Sequence, residues 1–167
     1  MVAKKYQVFA DITKRVKGEK PILVGGSAVE FYTQGAYKSL DLDVIAKKKY
    51  LEPVLKELGF KRSGRHWYTG DVSLEIVGAA TKERIKTMKI GGHEFKVIGV
   101  EDLIIDRLNA CKHWNSELDC EQAAYLLAGY MEHVDEKYLR IRAGEEKVAE
   151  SLDALIKHLK KHSKNGS

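Results

Sequence analysis

The 167-residue sequence predicts an α+β fold, in which an α/β part that extends to about Gly99 is followed by an all-helical part. Three observations lead to this prediction. Strand-like apolar runs at residues 21–24 and 39–46 flank a short helical segment. Glycine-centred turns at residues 69–71 and 91–92 separate further strand-like runs. Beyond Gly99 the apolar residues recur only at helical spacing.

The elements of the first part follow from periodicity and from glycines at the turns. Gly59 has the position of a residue that ends a helix, Gly70 fits a turn between two strands, and Gly91 with Gly92 fits a two-residue hairpin turn. In chain order the predicted elements are a helix at roughly residues 2–17, a strand at 21–24, a helix at 28–32, a strand at 39–46, a helix at 50–58, two strands within 60–78, and a hairpin of strands 87–90 and 94–98.

The second part begins where Glu101 and Asp102 favour a helix N-terminus. Further helices are predicted at about residues 116–128, 135–142 and 145–161. No Pro- or Ser-rich linker separates the two parts in the sequence. We therefore expect an α/β core at residues 1–99 and a helical region at residues 100–167 that packs on it.

Composition limits the class of protein. A hydrophobic content of 44% is ample for a packed core, and no apolar run approaches the ~20 residues of a membrane span. The first residues lack the apolar centre of a secretory signal, so we expect a cytoplasmic protein. Cys111 and Cys120 lack the spacing of a zinc site and are expected to be reduced thiols. A formal net charge of +5 suits a partner rich in phosphate.

Acidic residues in predicted strands point to the chemistry of the first part. Asp41 and Asp43 alternate with apolar residues and therefore share one face of a strand. Two such close carboxylates repel each other unless a cation lies between them. Glu75 stands in another apolar strand and would complete a three-carboxylate pocket, although an ordinary solvent-facing position is the alternative. His66 and His93 show no partner spacing and receive no role.

Two motifs resemble the signature of the DNA polymerase beta-like nucleotidyltransferase superfamily. They are the small-residue turn Gly25, Gly26 and Ser27 followed by an apolar helix, and the run at residues 38–43 that contains both aspartates. The chain is most similar to small bacterial and archaeal members, which include aminoglycoside nucleotidyltransferases and the toxin half of some abortive-infection toxin–antitoxin pairs. The resemblance implies a nucleotidyltransferase-type mixed sheet flanked by helices, with a C-terminal helical region.

The resemblance also implies roles for the matched residues. Asp41 and Asp43 would bind two Mg²⁺ ions, and Glu75 would complete the site and help to activate the acceptor hydroxyl. Gly25, Gly26 and Ser27 would form the nucleotide-binding turn, with Gly26 and Ser27 at the β and γ phosphates of a nucleoside triphosphate. Lys38 and Ser39 would either contact phosphate or support the loop. The chain departs from the commonest pattern in its longer interval between the turn and the aspartates, and in having Glu as the third acid.

Two classes of function follow from these observations. The first is a magnesium-dependent nucleotidyltransferase that moves a nucleoside monophosphate from an NTP to a hydroxyl of a small molecule, an RNA or a protein. The alternative is a non-catalytic nucleotidyltransferase-fold module that acts in a toxin–antitoxin pair or binds RNA. A second copy of the chain or a cognate toxin–antitoxin protein would be the protein partner, and no membrane partner is expected. A purely structural module would leave three strand carboxylates unexplained.

Overall fold

The structure is a computed structural model that describes residues 3–165. It divides into two compact units, Met1–Gly99 and Val100–Ser167. The elements of the first unit are α1 (Lys4–Arg15), β1 (Ile22–Val24), α2 (Gly25–Tyr32), β2 (Leu42–Ile45), α3 (Lys48–Glu57), β3 (Lys61–Ser63), β4 (His66–Thr69), β5 (Val72–Gly78), β6 (Ile85–Ile90) and β7 (His93–Ile98). Those of the second unit are α4 (Val100–Trp114), α5 (Glu117–Tyr130), α6 (Glu136–Glu145) and α7 (Ala149–Asn165).

A mixed sheet forms the first unit. Within the described residues it has seven strands in the order β3-β4-β5-β2-β1-β7-β6. The pairs β2–β5 and β1–β7 are parallel, whereas β1–β2, β3–β4, β4–β5 and β6–β7 are antiparallel. The chain therefore brings β5 next to β2, although α3 and two strands separate them in sequence.

The core of the first unit lies between the sheet and its helices. Leu23, Leu42 and Leu74, from three strands of the sheet, are fully buried. Helix α1 packs against β7, where the rings of Phe9 and Phe95 meet edge to face with their centroids 5.5 Å apart. Burying such apolar side chains contributes about 1.5–3 kcal/mol each, so this layer holds the strands in fixed register.

The second unit is helical, as the periodicity predicts, but the break between its last two helices lies later than predicted: α6 ends at Glu145, not at residue 142. Helix α7 begins at Ala149, not at residue 145. The N–H of Val148 donates to the carbonyl of Ala143 at 2.8 Å, and Lys147 has a positive φ of 61°. This is the hydrogen-bonding pattern that ends many helices at a glycine. Since a lysine occupies the left-handed position here, the sequence gives no glycine signal for the break.

The two cysteines also differ from the prediction of reduced thiols. Cys111 in α4 and Cys120 in α5 form a disulfide, with their Cα atoms 4.9 Å apart. Cys120 stands nine positions after Cys111 in the sequence. They meet because the short connection between α4 and α5 turns the chain back on itself, which periodicity alone does not reveal.

The helices of the structure also bear on the membrane prediction. Over the part of the chain that is described, no helix combines the length and apolar character that a membrane crossing requires.

Candidate functional site

Asp43 and Glu75 lie side by side on neighbouring parallel strands. They are register partners in β2 and β5. The residues that alternate with them, Leu42, Val44 and Leu74, are fully buried on the opposite face. Because alternate residues of a strand share a face, the half-buried side chains of Asp43 and Glu75 both lie on the face away from that core.

Asp41 joins them from the residue just before β2. The alternation of residues 39–46 predicts that Asp41 lies within a strand, but β2 begins at Leu42. The hydroxyl of Ser73, in β5, donates a hydrogen bond to Oδ1 of Asp41. The side chains of Asp41 and Glu75 are 27% and 19% exposed, so both carboxylates are accessible to a small ligand from solvent.

His66 completes this cluster, although the sequence analysis assigns it no role. It is the register partner of Glu75 across β4 and β5. Its Nε2 lies 3.4 Å from Oδ2 of Asp41 and 3.5 Å from Oε2 of Glu75. One ligand atom from each of these three residues lies within 4.8 Å of the others. Counting outward from the turn at Gly70 would have paired His66 with Glu75, so the sequence did carry the signal.

The glycines of the small-residue turn let the start of α2 approach Asp43. Helix α2 begins at Gly25, whose φ is +58°. A Cβ at Gly25 would lie 3.1 Å from Oδ2 of Asp43, and a Cβ at Gly26 would lie 3.3 Å from Oγ of Ser39. Any larger residue at these positions would push against the aspartate or the serine.

Ser27 is held firmly beneath Asp43. Its hydroxyl donates to the carbonyl of Val24 at 2.9 Å and accepts the N–H of Asp43 at 3.0 Å. Its own N–H points to Oδ2 of Asp43 at 3.4 Å. Burial, with Glu30 nearby, raises the pKa of Tyr6, and the Tyr6 hydroxyl donates to the carbonyl of Ser27 at 2.9 Å. The fully buried Ser27 hydroxyl therefore links β1, α2 and β2, and its phosphate-binding role stays a prediction.

A buried ion pair fixes the loop that leads to Asp41. Lys5 donates to Oε1 of Glu30 at 2.7 Å and to the carbonyl of Ser39 at 2.8 Å. The same Glu30 oxygen accepts the N–H of Ser39 at 2.6 Å. Burial by itself raises the pKa of Glu30, but the hydrogen bonds from Lys5 and from the Ser39 N–H outweigh it and hold the pKa below its usual value.

Ser39 and Lys38 have different surroundings. The Ser39 hydroxyl donates to the carbonyl of Asp41 at 3.0 Å, which fits the loop-supporting alternative. Lys38 Nζ lies 2.9 Å from where a Cβ at Gly35 would stand. Lys38 also lines a cavity of about 480 Å³ together with Tyr6 and Glu30. Among the described residues, the lining of this cavity does not include Asp41, Asp43 or Glu75, so the contact of Lys38 with phosphate stays a prediction.

The donor set fits a divalent cation. Carboxylate oxygens are the ligands that Mg²⁺ prefers, usually one or two from the protein with phosphate and water completing the shell. Asp43 and Glu75 supply such oxygens from paired strands, and Asp41 supplies another from the residue before β2. His66 adds a nitrogen donor, and Arg65 Nε lies 3.7 Å from the other oxygen of Glu75. These residues have the donor atoms to hold a divalent cation.

The fold is similar to that of a known nucleotidyltransferase. The solution structure of the antibiotic-resistance factor ANT(2'')-Ia, an aminoglycoside nucleotidyltransferase, superposes with a TM-score of 0.51. The match covers 95% of this chain and 94% of that one, at 15% sequence identity. No protein-family model and no curated protein matches the sequence. The likeness confirms the predicted nucleotidyltransferase-type α+β fold; an activity has to be argued from the site.

Proposed function

We propose that this protein is a magnesium-dependent nucleotidyltransferase that transfers a nucleoside monophosphate from an NTP to a hydroxyl acceptor and releases pyrophosphate. The observation that carries the proposal is the register pairing of Asp43 with Glu75 in β2 and β5. Asp41 groups with Glu75, and Asp43 lies beside the start of α2. The likeness in fold to ANT(2'')-Ia supports it. The resemblance of the two sequence motifs to the superfamily points to the same activity.

Each residue has a part that its position suits. Asp41 and Asp43 would hold the cations, with Glu75 beside them, and bound Mg²⁺ would neutralise the triphosphate and the charge that develops on the leaving group. The backbone N–H groups at Gly25 and Gly26 would orient the phosphates at the start of α2. Lys38 and Ser39 would contact phosphate or keep their loop in place.

The chemical step is an in-line displacement at the α-phosphorus. The acceptor oxygen forms a bond to that phosphorus, the bond from the phosphorus to the bridging oxygen breaks, and pyrophosphate leaves. Glu75 would take the proton of the acceptor hydroxyl, because its carboxylate is 19% exposed and borders the other two acids. Most of the acceleration would come from holding the reactants in line.

The decisive experiment incubates the full chain with labelled NTPs, Mg²⁺ and a panel of acceptors. Aminoglycosides belong in the panel because of the neighbour's activity, and RNA and proteins, including a toxin–antitoxin partner, because the superfamily uses them. We expect a labelled product with the wild type. Asp41→Asn and Asp43→Asn should each reduce turnover by about a thousandfold or more, because a cation ligand is lost from the transition state.

A matched control is Asp71→Asn, which changes an exposed aspartate at the turn between β4 and β5. It should keep wild-type turnover. Absence of labelled product with every nucleotide and acceptor would contradict the proposed activity, as would full activity in Asp41→Asn.

The non-catalytic alternative has one observation in its favour, the formal net charge of +5 and the isoelectric point near 9.0. A module that only binds RNA should keep its affinity when Asp41 or Asp43 becomes Asn, and its affinity should fall steeply with salt. Homodimer formation or pairing with a cognate protein fits either function.

A further inference from the structure

We propose that His66 is a metal ligand, and that Asp41, His66 and Glu75 form a mixed nitrogen and oxygen site that prefers a first-row transition ion such as Mn²⁺ over Mg²⁺. This inference rests on the proposed function in one respect: both place a divalent cation at Asp41 and Glu75. It goes further in naming a ligand that the family signature lacks and a different class of ion.

The spacing of the three side chains suits one shared ion. Ligand atoms about 2.1 Å from a common ion stand roughly 3.0–3.4 Å apart, depending on whether the geometry is octahedral or tetrahedral. Nε2 of His66 lies 3.4 Å from the Asp41 carboxylate and 3.5 Å from the Glu75 carboxylate. Both distances are longer than a good charge-assisted hydrogen bond of about 2.7–2.9 Å. The arrangement thus leaves room for an ion between the three groups.

The backbone holds the three ligands in place. His66 and Glu75 face each other across the β4–β5 pair, and Glu75 lies beside β2 in the next pair. The neighbours Trp67 and Leu74 anchor both strands in the core from the opposite face. Ser73 donates to the Asp41 oxygen that does not face His66, which fixes the orientation of that carboxylate.

The choice of ion follows from the nitrogen donor. Mg²⁺ strongly prefers oxygen ligands and keeps much of its water, whereas transition ions accept imidazole readily. Two carboxylates with one imidazole form a donor set that Mn²⁺ occupies well. A site with oxygen ligands alone would discriminate less between Mn²⁺ and Mg²⁺. The alternative role for His66 is that of a side chain that only contacts the two carboxylates and binds no ion.

The test measures metal binding directly on the full chain, without nucleotide. Pulsed electron paramagnetic resonance of Mn²⁺ bound to protein labelled with ¹⁵N-histidine should show a histidine nitrogen coupled to the ion. His66→Gln should remove that coupling and raise the Kd for Mn²⁺ by about tenfold or more, with a much smaller change for Mg²⁺. His93→Gln, which changes an exposed histidine of β7, should keep the nitrogen coupling and the wild-type Kd for Mn²⁺. The chain has six histidines, so the coupling is assigned to His66 by its loss in His66→Gln and its retention in His93→Gln. Absence of any histidine coupling in the wild type overturns the inference even if His66→Gln does not fold.

Two results would overturn the inference: Mn²⁺ bound to the wild type without a histidine coupling, or an unchanged ratio of Mn²⁺ to Mg²⁺ affinity in His66→Gln. Failure of the proposed function looks different. If Mn²⁺ binds through His66 but no nucleotide is ever transferred, the metal site stands and the enzymatic proposal falls. If transfer occurs with Mg²⁺ and Mn²⁺ shows no histidine coupling, the enzymatic proposal stands and the His66 site falls.

Discussion

At the scale of single residues, Gly25 joins the backbone of the fold to the candidate site. Its φ of +58° is unfavourable for any residue with a Cβ, and that Cβ would approach Oδ2 of Asp43 to 3.1 Å. The same residue therefore serves the start of α2 and the position of a predicted metal ligand. A substitution at Gly25 therefore tests both the stability of the fold and the position of Asp43.

We predict that Gly25→Ala lowers the free energy of unfolding by about 1–3 kcal/mol, because the left-handed backbone becomes strained. Displacement of Asp43 should also reduce nucleotide transfer. Urea unfolding and the transfer assay measure the two effects. The control is Gly129→Ala in α5, where a Cβ would meet nothing within 4 Å. It should leave stability equal or higher, because alanine favours helix. Equal stability of Gly25→Ala and wild type would contradict the strain argument.

At the scale of elements, the ion pair between α1 and α2 supports the loop before β2. Lys5 comes from α1 and Glu30 from α2, and both are largely buried, at 15% and 5% exposed. Together they hold both the N–H and the carbonyl of Ser39. The loop that carries Asp41 is thus tied to two helices.

We predict that Glu30→Gln lowers stability by roughly 1–3 kcal/mol near neutral pH, because a buried charged hydrogen bond is lost. The pKa of Glu30 is lowered in the folded protein. The contribution of Glu30 to the free energy of unfolding is therefore complete above the pKa of an unfolded carboxyl. It disappears as the pH falls through the lower pKa of the folded protein. Urea unfolding of both proteins from neutral to acidic pH should show the two stabilities converging in acid. A difference that stays constant with pH would contradict this assignment.

The disulfide between Cys111 and Cys120 links α4 to α5 within the helical unit. Closing a loop of this size is worth about 2.5 kcal/mol in the chain-entropy model. We predict that a reductant lowers the urea midpoint of the wild type accordingly, and that the Cys111→Ser, Cys120→Ser double variant has the lower midpoint with or without reductant. Two thiols titrating in the native protein before reduction would contradict the prediction.

At the scale of the whole molecule, positive charge is not confined to the first unit. Helix α7 alone exposes Lys157, Lys160 and Lys161, and each change of one of these to Glu lowers the formal net charge of +5 by two. Such charges attract phosphate over a range of about 10 Å at 0.1 M salt. Exposed charges of this kind would promote the approach of a polyanion such as RNA.

We predict that the triple Lys→Glu variant binds single-stranded RNA more weakly than wild type at low salt, and that the difference vanishes at high salt. Nucleotide transfer to a small acceptor should change by less than about threefold, because the proposed reaction gives these lysines no part and salt screens exposed charges. The matched triple Lys→Arg variant should behave like wild type. If the triple Lys→Glu variant loses nucleotide transfer and the triple Lys→Arg variant keeps it, these lysines take part in the reaction and the prediction is wrong.

Local signals account for most of the fold and for part of the site. Periodicity and turn glycines predicted the β4–β5 and β6–β7 hairpins, and alternation predicted that Asp43 lies opposite the core. The short strand β3 was missed, because residues 60–78 were predicted to form two strands and they form three. The position of β5 beside β2 depends on packing between distant segments, so it came from the family resemblance and not from spacing. His66 was missed because a lone histidine has no local signature until strand register pairs it with Glu75. The cysteine pair and the end of α6 were missed because a reversing connection and a lysine at a helix end leave no pattern in the residues.

The place of β6 at one end of the strand order has a consequence for assembly. Among the described strands it is an outermost one, and its outer backbone groups could serve as a template for a foreign segment. Lys86 and Lys89 are exposed along it. Lysines on an edge strand oppose pairing with another chain, because their charged ammonium groups repel positive charge and would lose water when the strands pair. Replacing both with threonine would remove that protection and invite aggregation of an otherwise intact protein.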